Sequence, residues 1–513
     1  MALPSKNAFN HKNMKIFNQL LAVFFLFLAL ACATDKEEET ANESKFNEPY
    51  RPQFHFTPAT NWMNDPNGMV YYDGEYHLFY QHHPDGNVWG PMHWGHAIST
   101  DLVYWEHMPV ALAPDSLGTI FSGSAVMDLE NTSGLGTDED PAMVAIFTYH
   151  DKAGEDAGRE DFQTQGIAYS TDKGRSWTKY EGNPVLKNPG IRDFRDPKVA
   201  WVETSPEQGK WIMTLAVKDK ISFYSSPNLI DWSLESDFNP EWAAYGGVWE
   251  CPDLFTLTTD EGEEKWILFV SINPGGPNGG SATQYFIGDF DGSNFNVESS
   301  EILWLDYGTD NYAGVTWSNI PDSDGRRLFI GWMSNWKYAE IVPTENWRSA
   351  MTLPRSLHLV KKGNEFLVSS SPVEELEKIR YSSESISDEG INLTEELVEV
   401  VLQPEEADFS VEFSNDGGEK LLVTKVGEQL SLDRSTSGET DFSDGFGKVH
   451  HAPIAAAKVD KVHIFLDRSS IEVFINDGET VMTEIIFPTK PYTDLKMTGF
   501  GENNILYYLE SIW

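Results

Sequence analysis

The chain has 513 residues, of which 40% are hydrophobic and 17 are Trp, enough apolar material for two domains. With 80 Asp and Glu against 37 Lys and Arg, its formal net charge is −43, which excludes a surface built for nucleic acid or an anionic membrane. A neutral substrate is not excluded.

Residues 14–32 run from Met14-Lys15 through an apolar stretch to Ala29-Leu30-Ala31-Cys32, the layout of a secretory signal. Residues 1–13 read as an upstream extension of the frame, ahead of a start at Met14. The end of the segment resembles a bacterial lipoprotein signal, which implies a signal peptide over 1–31 and lipidation of Cys32. Ordinary Ala-x-Ala cleavage at the same bond is the alternative. Residues 32–50 then read as an acidic tether, because Thr34 to Lys45 is charged and poor in apolar side chains. Its Asp35-Lys36-Glu37-Glu38-Glu39 run is similar to a surface-export signal of some Gram-negative lipoproteins. The expected location is therefore exported and anchored to the outer membrane or cell surface, or else periplasmic or secreted. Cys251 is the one other cysteine, so lipidation of Cys32 leaves no intrachain disulfide.

From residue 54 to 355 short β-rich runs alternate with Gly, Asp and Asn turns, and no long 3.6-residue period appears, so the region is all-β. Met69–Tyr72 and Tyr76–Tyr80 flank Asp73-Gly74, a hairpin signal. A turn then repeats: Ser99-Thr100-Asp101 before Trp105, Ser170-Thr171-Asp172 before Trp177, and Ser225-Ser226-Pro227-Asn228 before Trp232. Five strand groups succeed one another at blade length, which predicts a five-bladed β-propeller over 51–355. The strand pattern alone also fits a double-sheet sandwich. Residues 356–380 read as a linker with a short helix, and 381–513 as a β-sandwich. There the alternation of Ile471, Val473 and Ile475 with Ser470, Glu472 and Phe474 predicts a half-buried strand.

Three carboxylates stand at the mouths of apolar runs: Asp65 before Pro66, Asp196 before Pro197, and Glu250 before Cys251-Pro252. A residue before proline is pushed toward extended geometry, so Asp65 and Asp196 are expected to be held where a strand begins. Each alone reads as a turn or a surface pair. On a propeller, however, first strands line the channel, and the three converge at one mouth. Glycoside hydrolysis needs one ionised and one protonated carboxyl group. Asp65, among Asn64, Asn67 and turn amides, is expected to be ionised. Glu250, beside Trp249 and Cys251, is expected to be buried among apolar groups and protonated. Asp196 is left to accept hydrogen bonds from sugar hydroxyls, with Arg195 adding donors. Trp62, Trp89, Trp94, Trp317 and Trp336 are candidates for stacking on a sugar ring. His93 and His96 lack the surroundings of a metal site, so no metal and no cofactor is expected.

Trp62-Met63-Asn64-Asp65-Pro66-Asn67-Gly68, Phe121-Ser122-Gly123-Ser124, Arg195-Asp196-Pro197 and Glu250-Cys251-Pro252, in that order, resemble glycoside hydrolase family 32, the invertases, inulinases and levanases. Phe465 to Phe474 resembles the signature of that family's second domain. The resemblance spans about Arg51 to Trp513 and implies a five-bladed propeller followed by a β-sandwich. It implies Asp65 as nucleophile, Glu250 as acid and base, and Asp196 as transition-state stabiliser in a retaining mechanism, with the carboxyl groups about 5–5.5 Å apart. It also implies a fructose subsite of Trp62, Asn64, Gln81, Trp89, Phe121, Ser122 and Arg195. Gly331 to Trp336 and Trp347 to Arg355 are most similar to exo-acting levanases and inulinases. Two departures, Tyr312-Ala313-Gly314 for Tyr-Ala-Ser and His82-His83 after Gln81, fall toward the expected substrate funnel and bear on linkage preference.

The leading expectation is release of fructose from the ends of levan or inulin, and from sucrose. Its rivals are an endo-levanase, a fructosyltransferase using the same residues, and a non-catalytic fructan-binding protein.

Overall fold

Strand-forming runs punctuated by Gly and Asp turns arrange into seven sheets in a computed structural model that describes residues 46–137, 139–205, 208–388, 390–454 and 458–513. The signal segment, Cys32 and most of the tether lie outside the described residues. Residues 46–51 belong to a separate unit, in which Arg51 pairs with Glu48 at 2.8 Å. The second unit, Pro52–Trp513, holds all seven sheets.

Five sheets succeed one another in chain order, each beginning with an inner strand: Asn61–Tyr72, Thr119–Asp128, Phe194–Ser205, Val248–Thr258 and Tyr312–Thr316. Each inner strand packs against the inner strand of the next sheet, and the fifth returns to the first, closing a ring. This is the five-bladed propeller, and radial repetition leaves it only short sheet edges. The ring is latched where Asn61 and Trp62 pair in parallel with Trp347 and Arg348.

The repeated turn is one capping device used three times. Ser99, Ser170 and Ser226 accept from the backbone N–H of Asp101, Asp172 and Asn228 at 3.1, 3.3 and 3.1 Å. The indoles of Trp105, Trp177 and Trp232 donate to the carbonyls of Leu102, Gly174 and Leu229 at 3.1, 3.2 and 3.0 Å.

The fifth blade takes its outer strands, Arg355–Lys362 and Glu365–Pro372, from the segment expected to be a linker. Its alternate side chains Leu357, Leu359 and Val368 are buried with Phe329 and Tyr285, which is why this segment pairs instead of spanning a gap. A 3-10 helix, Glu374–Ile379, makes the connection.

The C-terminal domain is a sandwich of two six-stranded sheets, Arg380–Ile386 through Thr480–Ile485 and Ile391–Asn392 through Val449–Pro453, around one aliphatic core. Its strand Ser470–Ile475 is buried on both faces, not one. Ile471, Val473 and Ile475 enter the sandwich core, while Phe474 packs with the propeller. On that second face Glu472 accepts from Arg355 at 2.6 Å and from the Leu353 N–H at 2.7 Å. His55 lies between Asp467 at 2.8 Å and Glu472 at 3.0 Å, joining the segment that leads into the propeller's first strand to the sandwich.

Candidate active site

All five inner strands break register at the same level. Pairing jumps from Met63 to Pro66, from Ile120 to Gly123, from Arg195 to Lys198, from Glu250 to Asp253, and from Tyr312 to Val315. A bulge re-aims side chains that a regular strand would send into the blade. The bypassed residues are Asn64 and Asp65, Phe121 and Ser122, Asp196 and Pro197, Cys251 and Pro252, and Ala313 and Gly314. Prolines fit here because no ladder hydrogen bond is asked of them. The carboxylates thus sit within the inner strands, not ahead of them. Asp196 is not extended, as its place before proline suggested. It takes φ 62°, and Cys251 and Ala313 take 44° and 54°, because the bulge turns the chain through the left-handed region. Thr148 Oγ1 and the Cys251 N–H hold Asp196 there, at 3.1 Å to its own N–H and 3.0 Å to its Oδ2.

The bulges open on a pocket of about 590 Å³. Asn64, Asp65, Gln81, Trp89, Phe121, Ser122, Arg195, Asp196 and Glu250 all line it, gathered from four blades. Trp62 does not. Its ring is fully buried, and its indole donates to Asn64 Oδ1 at 2.7 Å. That bond turns the Asn64 amide so that Nδ2 donates to Asp65 Oδ1 at 3.0 Å. Of the other tryptophans, Trp336 lines the pocket, whereas Trp94 and Trp317 are core residues.

Asp65 also accepts from Ser122 Oγ at 2.7 Å. Its surroundings nonetheless differ from the expected polar turn: burial pushes its pKa up, against the pull of Ser122 and Asn64. Burial also lifts Asp196 to about 7 despite the Arg195 guanidinium, with Glu250 and Asp65 adding repulsion. The expected apolar shell around Glu250 is absent. Strand alternation sends Trp249 into the blade core and Glu250 to the channel. There Arg195 donates to Glu250 Oε1 through Nε and Nη2, at 3.3 and 3.0 Å, and the Tyr312 hydroxyl donates to Oε2. Arg195 is held in turn by Asp193 at 2.6 Å. Burial alone would lower its pKa, but the carboxylates of Glu250, Asp196 and Asp193 outweigh that and keep it charged.

Sequence reasoning missed four residues here. Cys251, inside its own motif, places Sγ 3.6 Å from Asp196 and 3.7 Å from Asp65, packing between the two acids. Tyr312 comes from the fifth blade, where no carboxylate drew notice. His150 stacks on Phe121 with centroids 4.3 Å apart and planes 5° from parallel, and Gln163 supports it at 3.3 Å. No local pattern marks either.

Neither sequence departure lines the pocket. A Cβ at Gly314 would meet the Phe329 ring at 2.2 Å, so this glycine answers to packing. His82 Nδ1 bonds the Trp62 carbonyl at 2.8 Å, and His83 Nδ1 bonds the Val88 carbonyl at 2.9 Å, fixing the turn that presents Trp89. At the far ends of the inner strands a separate cavity of about 470 Å³ is lined by Asp128, Glu130 and Asp253, with Asp253 Oδ2 tied to Lys198 at 3.2 Å and to Thr316 Oγ1 at 2.8 Å. Among the described residues no group of three His, Cys, Asp or Glu is placed to hold a metal ion.

Residues 55–370 match the glycosyl hydrolases family 32 N-terminal domain and residues 375–507 the family 32 C-terminal domain. The chain belongs to glycosyl hydrolase family 32. It is 48% identical to a levanase of Bacillus subtilis (strain 168), over 93% of this chain and 72% of that one. To a levanbiose-producing levanase of the same organism it is 36% identical, over 91% and 92%. The crystal structure of exo-inulinase from Aspergillus awamori superposes with a TM-score of 0.81 at 36% identity, covering 91% of this chain and 100% of that one. The chain is thus a hydrolase of this family, and both family domains coincide with the propeller and the sandwich.

Proposed function

We propose that this enzyme hydrolyses terminal β-D-fructofuranosyl linkages in levan or inulin, and in sucrose, with retention of configuration. The observation that carries this reading is the partition of polar partners among the three acids. Asp65 receives the Ser122 and Asn64 donors, while Glu250 faces Arg195 and Tyr312 across the pocket. In the first step an Asp65 oxygen bonds to the anomeric carbon as the glycosidic bond breaks, and Glu250 gives its proton to the departing oxygen. In the second, Glu250 takes a proton from water, the water oxygen bonds to the anomeric carbon, and the ester to Asp65 breaks. Asp196 accepts hydrogen bonds from hydroxyls of the fructose ring while positive charge develops on it.

Action on chain ends is supported by the likeness to the exo-inulinase of Aspergillus awamori. Beside the acids, the segments 150–163 and 336–341 contribute lining residues to the pocket. Two measurements test the proposal. NMR during the first turnovers should show β-fructofuranose as the initial product; the opposite anomer refutes retention. Early digests of levan and inulin should contain fructose as the one small product, and those of sucrose fructose and glucose in equal amounts, whereas a ladder of oligosaccharides from the polymers establishes endo action, and glucose in excess of fructose from sucrose establishes transfer. Asp65→Asn should abolish turnover but keep binding.

The same reading extends to location. The signal over 1–31 supports export, and Cys32 the addition of a lipid anchor. Fatty-acid labelling that disappears in Cys32→Ala confirms the anchor; labelling that persists refutes it.

A further inference from the structure

One wall of the pocket is built from the segment Trp336 to Ile341, with Lys337, Tyr338 and Glu340 also lining it. The half-buried Trp336 ring packs at a tilt against Trp332 and Trp62, at centroid distances of 5.0 and 5.8 Å. Ile341, 53% exposed, closes the outer edge, and Glu340 accepts from the Trp89 N–H at 3.2 Å. The wall thus borders the same pocket as the three acids.

The wall is not a regular element, so side chains must hold its backbone. Asn335 donates to the Thr309 carbonyl at 2.7 Å, and Arg348 donates to the carbonyls of Glu340, Val342 and Thr344. Ser281 Oγ accepts from the Trp336 N–H at 3.2 Å. The anchor that reaches the sandwich is Tyr338, midway along. Its hydroxyl donates to Asp310 Oδ1 at 2.7 Å and accepts from Arg434 Nη2 at 2.8 Å.

Arg434 belongs to the sandwich. Its guanidinium is fully buried and fully engaged: with Asp310 at 2.6 Å, Glu484 at 2.7 Å, Thr309 Oγ1 at 3.1 Å and the Phe446 carbonyl at 2.9 Å. It lies over the Phe446 ring at 4.0 Å, and the same ring meets Tyr338 edge-on at 5.1 Å. Glu484 is backed by His450 at 2.7 Å. A planar fork with fixed donor directions is suited to dictating where a tyrosine stands. Replacing a buried ionic cluster of this kind by apolar groups is often neutral for stability, so stability alone does not account for it.

We infer that Arg434, which does not line the pocket, is a positioning residue: through Tyr338 it sets the 336–341 wall and so decides how the enzyme discriminates among substrates by the group linked to the terminal fructose unit. The inference rests on the reading of the pocket as a β-fructofuranosyl site. It gives the sandwich domain a part in substrate selection without contact with substrate.

The test compares Tyr338→Phe and Arg434→Lys with the full-length parent enzyme on sucrose, a fructan trisaccharide and polymeric levan or inulin. Tyr338→Phe deletes one hydroxyl and leaves Arg434, Asp310 and Glu484 paired, so it decides the matter even if the lysine variant fails to fold. The expected result for Tyr338→Phe is a fall in kcat/KM on the polymer of about fivefold, the worth of one hydrogen bond. That fall should be carried by KM and should exceed any fall on sucrose, so that the polymer-to-sucrose ratio of kcat/KM drops. An equal fall on all three substrates, or a lowered melting temperature with unchanged substrate ratios, overturns the inference. A parent enzyme inert toward all fructosides overturns the underlying substrate reading instead.

Discussion

Ser122 Oγ donates to Asp65 Oδ2 at 2.7 Å, so the second blade holds the carboxylate that the first blade presents. Burial works against ionisation of Asp65, and this bond works for it. Ser122→Ala therefore raises the Asp65 pKa further. The acid limb of the kcat/KM profile should move to higher pH, and kcat should fall by at least about tenfold, because hydrogen bonds to charged groups are worth about 1.5–3 kcal/mol. A pH–rate series on sucrose checks both; an unmoved limb argues against Asp65 as the nucleophile.

Asp196 is held at about 7, above its ordinary 3.8, because burial disfavours its charge more than Arg195 favours it. The folded state then keeps a proton that the unfolded chain releases. Stability from this group falls as pH rises from 3.8 to about 7, and the cost stays constant above that. Asp196→Asn removes the cost while still accepting the Cys251 N–H. Its melting temperature should exceed that of the parent at pH 8 and converge with it below pH 4, while activity is lost. Calorimetry across pH measures the difference.

For His55 the sign is reversed. Burial alone would lower its pKa, but hydrogen bonds to Asp467 and Glu472 outweigh that and raise it from 6.5 to about 9. Its contribution is complete below pH 6.5 and is lost as pH rises through about 9. His55→Gln should cost about 3–5 kcal/mol near pH 6, the range for breaking a buried pair, and much less at pH 10. Denaturant unfolding at the two pH values reads it directly.

Gly314→Ser would bring the chain back to the family's commoner Tyr-Ala-Ser. With Phe329 2.2 Å and Gly331 3.1 Å from the new Cβ, it should destabilise by about 1–3 kcal/mol, the usual cost of overpacking. The ratio of levan to inulin hydrolysis should not change. A changed ratio with unchanged stability would return this position to the substrate funnel.

Much of this was legible in the chain. The Ser-x-Asp turns before Trp105 and Trp177 announce repeated sheets because a single capping geometry needs those residue types at that spacing. The acids stood out because Asp65, Asp196 and Glu250 occupy motifs. What stayed hidden depends on partners far along the chain. Trp62 looks like a sugar platform until Met92, Tyr312 and Trp332, from distant parts of the chain, bury its ring. Glu250 looks apolar until Arg195, 55 residues away, reaches it. Arg434 meets Asp310 across 124 residues, with no local pattern to mark either. The boundary at 355 failed because the outer strands of the last blade are as short and polar-rimmed as a linker.

The five aligned bulges have an evolutionary consequence. Side chains alternate along a strand with period two, so losing one residue at a bulge would turn every later core residue of that blade toward the channel. Exchanging a residue seated there leaves the register further along unchanged. Point substitutions at these five seats therefore alter the site locally, within what packing and backbone geometry at each seat allow, whereas an insertion or deletion there shifts the strand beyond it.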